Sequence, residues 1–271
     1  MEIPLNIIVC IKQVPDPEFF DKITLDPSTG TIRRTGVPVI TNPLDRHALE
    51  EAIRIREKFG GSITALTMGP PQSRKSIDDA LAMGADRGVL LCDQVFVGAD
   101  TLATACVLSA SIRFLGPFDL ILCGNETADG ATAQVPAQLA EMLGIPHVTY
   151  ARKIDVMEDG RALVERTVEG GFLKVEVGLP AVIAVLKTIN NYHLPTVLGI
   201  MEAAGKEVLE LDCFSCESMG VDSGEMGSRG SPTRFAGITE SAQFRKAEMI
   251  TGEPREIAAK LIKELNHIAA L

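Results

Sequence analysis

The chain has no tryptophan and only 2 tyrosines among 271 residues, so an aromatic platform for stacking nucleic-acid bases is not expected. Basic residues are the scarcer charge. Lys and Arg number 26 against 36 Asp and Glu, a net charge of −10; that balance repels nucleic-acid phosphates except at a local basic patch. No apolar run is long enough to span a membrane. The start, Met1-Glu2-Ile3-Pro4-Leu5, has no basic stretch, and the apolar run 5–11 ends at Lys12, so neither a signal peptide nor membrane insertion is expected. Two common nucleotide-binding designs are also missing. The segment Lys12-Gln13-Val14-Pro15-Asp16 has no glycine where a dinucleotide fingerprint would need one, and there is no Walker A motif. No nucleophile stands beside a base, which removes hydrolase chemistry. The 6 cysteines are scattered through the chain and read as reduced thiols of a cytoplasmic protein.

What is present is enough for a globular core, with 46% hydrophobic and 23% charged residues. Residues 6–11 form a short, β-branched apolar run, the pattern of a buried parallel strand. Residues 23–34 carry a turn at Asp26-Pro27-Ser28-Thr29-Gly30 and read as a small hairpin. A helix follows, with Asn42 at its N-cap and Pro43 at its first position. Its apolar face is Leu44, Ala48, Ala52, Ile55 and Phe59, and Gly60-Gly61 stops it. Strands at 62–67, 89–92 and 120–123 then alternate with helices at 72–83, 100–114 and up to Met142. This rhythm predicts an α/β fold, a doubly wound, mostly parallel sheet with helices on both faces. After Ile145 the turns Asp159-Gly160 and Gly170-Gly171 predict antiparallel hairpins, and 181–186 reads as another buried strand.

Residues 1–210 are thus expected to form a nucleotide-binding domain, and 211–271 an extended arm with an amphipathic terminal helix. The small polar residues of 215–231 read as lying outside the core. The helix from Pro254 carries Ile257, Leu261, Leu265 and Ile268 on one face, to be covered by its own domain or by a partner subunit. Cys213 and Cys216 form a lone C-x-x-C without a second pair, so they read as reduced cysteines in a flexible segment. Asp45, His47 and Glu51 stand at helical spacing and read as a solvated face rather than a metal cluster.

Ligands of open α/β sheets bind beyond the carboxyl ends of the strands. The best candidate follows the strand at 120–123: Cys123-Gly124-Asn125-Glu126-Thr127-Ala128-Asp129-Gly130-Ala131-Thr132-Ala133-Gln134-Val135-Pro136. A loop of small residues feeding a helix start offers backbone N–H groups, hydroxyls and a helix dipole to phosphate. Asp129 would receive ribose hydroxyls or cap the helix. The strand ends Val9-Cys10-Ile11 and Leu66-Thr67-Met68-Gly69-Pro70 converge on the same crevice. Asn42 either reaches it or merely caps its helix.

Together these segments resemble the β subunit of electron transfer flavoproteins. The resemblance rests on Val9-Cys10-Ile11-Lys12-Gln13-Val14-Pro15-Asp16, Asn42-Pro43-Leu44-Asp45, Gly69-Pro70 and Ala80-Leu81-Ala82-Met83-Gly84-Ala85-Asp86-Arg87. It continues through the loop 124–134, Val164-Glu165-Arg166-Thr167-Val168-Glu169-Gly170-Gly171 and Leu179-Pro180-Ala181-Val182. It implies a heterodimer whose α subunit carries FAD in a mobile domain. It also implies a second nucleotide held by Cys10, Asn42, Met68, Gly124, Thr127, Asp129, Gly130, Ala131, Thr132, Gln134 and Val135. Glu165 falls where the family faces its α subunit. Val197 and Leu198 fall at the apolar tip of the loop that docks on an acyl-CoA or hydroxy acid dehydrogenase. The approach to that tip reads Ile189-Asn190-Asn191-Tyr192-His193, where the family usually has Asn-Glu-Pro. The second nucleotide is AMP in simple carriers. In bifurcating members it is FAD, which takes hydride from NADH near the 12–16 loop and passes electrons to ferredoxin or flavodoxin as well as to the dehydrogenase. One acid at Asp129 and the small Gly130-Ala131 favour FAD here, with AMP as the alternative.

Overall fold

The computed structural model describes residues 4–22, 24–25, 32–33, 36–234 and 249–267. Two compact units divide the chain, Met1–Phe235 and Ala236–Leu271. The first opens with β1 (Leu5–Cys10), then β2 (Gln13–Pro15), a 3₁₀ turn, β3 (Thr24–Leu25), β4 (Ile32–Arg33) and β5 (Val39–Thr41). There follow α1 (Pro43–Phe59), β6 (Gly61–Met68), α2 (Arg74–Met83), β7 (Arg87–Leu91), α3 (Thr101–Leu115), β8 (Leu120–Gly124) and α4 (Val135–Leu143). The unit ends with β9 (His147–Val156), β10 (Arg161–Val168), β11 (Gly171–Gly178), β12 (Ala181–Val185), α5 (Val197–Ala203), β13 (Val208–Leu211) and α6 (Cys213–Ser218). The second unit contains α7 (Pro254–His267).

Nine strands form one sheet in the order β11-β10-β9-β12-β8-β1-β6-β7-β13. Pairings from β9 through β13 are parallel, and the two outer ones, β9–β10 and β10–β11, are antiparallel. Alternate residues of each central strand enter opposite cores. Ile7, Val9, Leu120 and Leu122 pack with Leu49, Ile53 and Ile77 of α1 and α2. Ile8, Ile121 and Cys123 pack with Val107, Ile112 and Leu139 of α3 and α4. Strands β8 and β12 are buried along their whole length, which is why they read as continuous apolar runs. The expected doubly wound α/β fold is the fold observed. The hairpin at 23–34 is observed as the β3–β4 pair, and its turn, 26–30, lies outside the described residues.

The reading of 215–231 is corrected. Cys216, Val221 and Met226 are buried in the second core, and Ser231 Oγ donates to the Gly227 carbonyl and accepts from Asp100 N–H. Small residues let this backbone lie close to residues 95–98, where Gly227 faces the Val95 and Val97 carbonyls and Gly98 faces Ser228, and three well-spaced apolar side chains plug the core beside it. Cys213 and Cys216 therefore sit in α6, begun by an Asp212–Ser215 capping box, rather than in a flexible segment. All six cysteines are free. Among the described residues no group of His, Cys, Asp and Glu could hold a metal, and no helix is long and apolar enough to cross a membrane.

Candidate functional site

From β1 the chain winds through β6 to β7 on one side, then returns to β8 on the other. The switch point of the sheet is therefore the gap between the carboxyl ends of β1 and β8, the place where such folds open a ligand crevice. Strand β1 delivers Cys10 there and the turn after it Lys12, and β8 delivers Gly124 and the loop that follows.

Two side chains from the start of α1 build this crevice. Asn42 is buried and makes no capping bond to its own helix. Its Nδ2 donates to the Glu126 carbonyl at 3.0 Å, and its Oδ1 accepts from Ala128 N–H at 3.1 Å. The capping explanation for Asn42 is thereby replaced by a loop-bracing one. Asp45 is buried too, accepting Lys12 N–H at 2.8 Å and Gly124 N–H at 2.9 Å. It joins the ends of β1 and β8, and with Glu51, also buried, it overturns the reading of a solvated face. Both turn inward because the backbone amides and Asn190 they satisfy come from other parts of the chain.

Gly124 allows this closeness. A Cβ on it would stand 2.5 Å from Asp45 Oδ1 and 2.6 Å from Leu44 Cβ. Gly124→Ala should lower stability by roughly 2–4 kcal/mol, since it overpacks the joint and displaces a buried carboxylate; urea unfolding measures this.

Burial pushes the Asp45 carboxyl up to about 7, against the pull of Asn42, the two amides and Lys12. A carboxyl raised in the folded state binds its proton more tightly there than when unfolded. Its contribution to stability is full at acid pH and is lost as pH rises from about 4 to about 7. The difference in unfolding free energy between the wild type and Asp45→Asn should therefore shrink by roughly 2–4 kcal/mol across that range. A difference that stays constant or grows would refute this account of Asp45.

The loop itself is shaped for an anion. Ala131 and Ala133 have φ of 46° and 54°, a left-handed conformation that costs about 1 kcal/mol or more per non-glycine residue. Such alternation turns successive N–H groups toward one side. Helix α4 begins with Gln134 at its N-cap and no side-chain capping bond, whereas Asp100, Thr196 and Asp212 cap α3, α5 and α6. Gln134 Nε2 instead donates to the Thr132 carbonyl. Beneath the loop, Asn125 accepts Tyr150 N–H at 2.9 Å, and its Nδ2 is a buried donor with no partner. Asp129 receives Lys12 Nζ on both oxygens, at 2.8 and 2.9 Å, so this acid carries a compensating cation.

Cys10 and Met68 line the neighbouring strand ends beside the second core. Burial, reinforced by Asp45, pushes the Cys10 thiol up to about 12, so it stays a neutral, soft surface. The structure thus brings together Cys10, Asn42 and Met68 with the 124–135 loop. It does not bring Glu165, Val197 and Leu198 to them. Glu165 lies on β10, with Arg152 3.7 Å away, beyond β12 and β9 from β8. Val197 and Leu198 lie on α5, exposed at 78% and 64%. Sequence patterning does not mark Lys12, Asp45 or Asn125 as individual site residues, although the Asn42-Pro43-Leu44-Asp45 pattern holds the signal for Asp45.

A concavity of about 440 Å³ opens at the other end of the sheet, beside Asn6, Asp86, Arg87 and Phe118. Its lining includes no helix N-terminus or anion-shaped loop, so the switch point is the candidate site.

The family described as "Electron transfer flavoprotein domain" matches residues 29–213. The chain belongs to the electron transfer flavoprotein β-subunit family. It is 43% identical over 262 residues to an electron transfer flavoprotein subunit beta of Thermoanaerobacterium thermosaccharolyticum, covering 97% of this chain and 98% of the relative. It is 40% identical over 263 residues to the caffeyl-CoA reductase-Etf complex subunit CarD of Acetobacterium woodii, covering 96% and 98%. It is 37% identical over 266 residues to the acryloyl-CoA reductase electron transfer subunit gamma of Anaerotignum propionicum, covering 96% and 98%. For an electron transfer flavoprotein β subunit, the residues at the switch point fit a nucleotide. An orphaned buried donor, uncapped helix amides and a loop of small side chains all call for an added acceptor-rich group.

Proposed function

We propose that the chain is the cytoplasmic β subunit of a heterodimeric electron transfer flavoprotein that holds FAD in the crevice. With its α subunit it takes hydride from NADH and divides the two electrons between ferredoxin or flavodoxin and an acyl-CoA or hydroxy acid dehydrogenase. The observation that carries the choice of FAD is the Lys12–Asp129 pair at 2.8 Å. Asp129, the loop's half-buried carboxylate, is already offset by a cation, and a loop in that state tolerates a diphosphate that a run of acids would repel. Bound FAD would supply hydride acceptance and one-electron release; the protein supplies position and electrostatics.

In this reading the amides of 132–135 and the Thr127 and Thr132 hydroxyls hold phosphate. Asn42 keeps the loop in shape, Lys12 offsets charge, and Cys10 and Met68 give the cofactor's ring a soft wall. No side chain acts as a general acid. Names of relatives that include caffeyl-CoA reductase and acryloyl-CoA reductase complexes support a flavin-linked CoA-ester enzyme as partner. Glu165 orients the α subunit, Val197 and Leu198 dock the dehydrogenase, and the exposed Leu261 and Ile262 of α7 meet the α subunit.

The test is a nucleotide count on the co-purified heterodimer, followed by anaerobic NADH titration. Two FAD per heterodimer, with sustained NADH oxidation that needs both acceptors, is the expected result. One FAD and one AMP, with no reaction with NADH, would make the chain a simple carrier subunit.

A further inference from the structure

The segment leading into α5 is fastened by a histidine that faces two acceptors. His193 Nδ1 lies 2.6 Å from Glu50 Oε2 on α1, and its Nε2 lies 3.0 Å from the Met83 carbonyl at the end of α2. A carbonyl oxygen only accepts, so Nε2 carries a proton. Glu50 Oε2 already accepts the backbone N–H of His193 at 3.2 Å, so it acts as an acceptor toward Nδ1 as well. The arrangement is complete only when both ring nitrogens are protonated, that is, as imidazolium. The α2 carboxyl end suits a cation, and Lys206 Nζ also binds there, to the Leu81 and Ala85 carbonyls at 2.9 and 2.8 Å.

Helix α5 has no buried residue, and Ala203 at its end is the side chain of this helix that packs on the core. It rests on α2 through Gly199, where a Cβ would stand 2.3 Å from the Ala82 carbonyl. A second tie lies upstream. Asn190 Nδ2 donates to the His47 carbonyl at 3.0 Å and to Glu51 Oε2 at 3.1 Å. Of the charged groups on the packed elements, Glu50 is the one hydrogen-bonded to the ring among the described residues. Glu51 is taken by Arg54 and Asn190, Arg46 lies 3.6 Å from Asp79, and Lys206 occupies the α2 carbonyls.

We propose that His193 is the positioning residue of the docking surface. As an imidazolium it clasps the approach to α5 between α1 and α2 and so presents Leu194, Val197, Leu198 and Met201 to an apolar partner in one orientation. Loss of one ring proton breaks one of the two ties and loosens the helix. This rests on the reading of α5 as the dehydrogenase-docking helix.

The test uses the purified heterodimer. Hydrogen-exchange protection of the Gly199 and Ile200 amides, both bonded to Thr196, is measured from about pH 5 to about pH 8, the span in which histidines change charge, and corrected for intrinsic exchange. In the wild type, protection should fall about tenfold as pH rises. His193→Ala should be low and flat, and His193→Arg, a permanent cation with several donors, high and flat. Affinity for an acyl-CoA dehydrogenase that the complex reduces should follow the same pattern. Wild-type protection that is independent of pH and equal to that of His193→Ala overturns the proposal. So does protection that responds while dehydrogenase affinity does not, provided that Val197→Asp abolishes binding. If Val197→Asp also binds normally, the docking reading itself fails, and with it the role assigned to the clasp.

Discussion

Gly130→Leu should give a heterodimer that keeps the α-subunit flavin and lacks the nucleotide of the β crevice. The protein itself has room for the change. Gly130 is exposed, and a Cβ there would touch only Thr127 Oγ1, at an ordinary 3.5 Å. Its φ lies outside the left-handed range, unlike those of Ala131 and Ala133, so a side chain adds little backbone strain. What leucine would obstruct is the approach of phosphate to the loop amides, where each hydrogen bond to a charged group contributes about 1.5–3 kcal/mol. Losing two or three of them should reduce nucleotide content to a small fraction. The measurement is chromatography of the nucleotide released on denaturation, with the thermal midpoint as the control for folding. Full nucleotide content in this variant would show that the loop does not hold the ligand.

The second large effect is expected at the other surface. Leu198→Asp should lower kcat/KM for electron delivery to the dehydrogenase by about 30-fold, the size of a central contact worth roughly 2 kcal/mol. Leu198 is 64% exposed and α5 buries no residue, so the thermal midpoint and flavin content should hold. An unchanged kcat/KM would remove α5 from the docking surface.

How far the sequence discloses this molecule depends on whether the relevant partners are local. The buried runs of β8 and β12, the Pro43 start of α1 and the small-residue loop after Gly124 are local patterns, and each is observed where the pattern puts it. Strand β13 is not such a pattern. Val208-Leu209-Glu210-Leu211 is short and carries a charge, and it becomes a strand by pairing with β7. Composition hid the packing of 215–231, because Gly and Ser dilute the few apolar residues that matter. In the site, helical spacing alone puts Asp45 on a solvated face, but it serves amides 33 and 79 residues away. Lys12 and Asp129 are 117 residues apart. No local periodicity reports a contact of that kind; only the sheet order that brings β1 beside β8 does.

Helix α1 serves both ends of this machinery. Its start holds Asn42 and Asp45 against the loop, and two turns later Glu50 and Glu51 hold the approach to α5. At 1.5 Å per residue these stations are about 12 Å apart. Point substitutions between them leave that spacing alone, but a change in chain length does not. One residue inserted after Ala48 would rotate everything beyond it by about 100° and carry both glutamates off the strap, with the crevice contacts untouched. The helix is therefore open to drift in side chains and closed to insertions and deletions, because its length keeps the 124–135 loop and the approach to α5 in register.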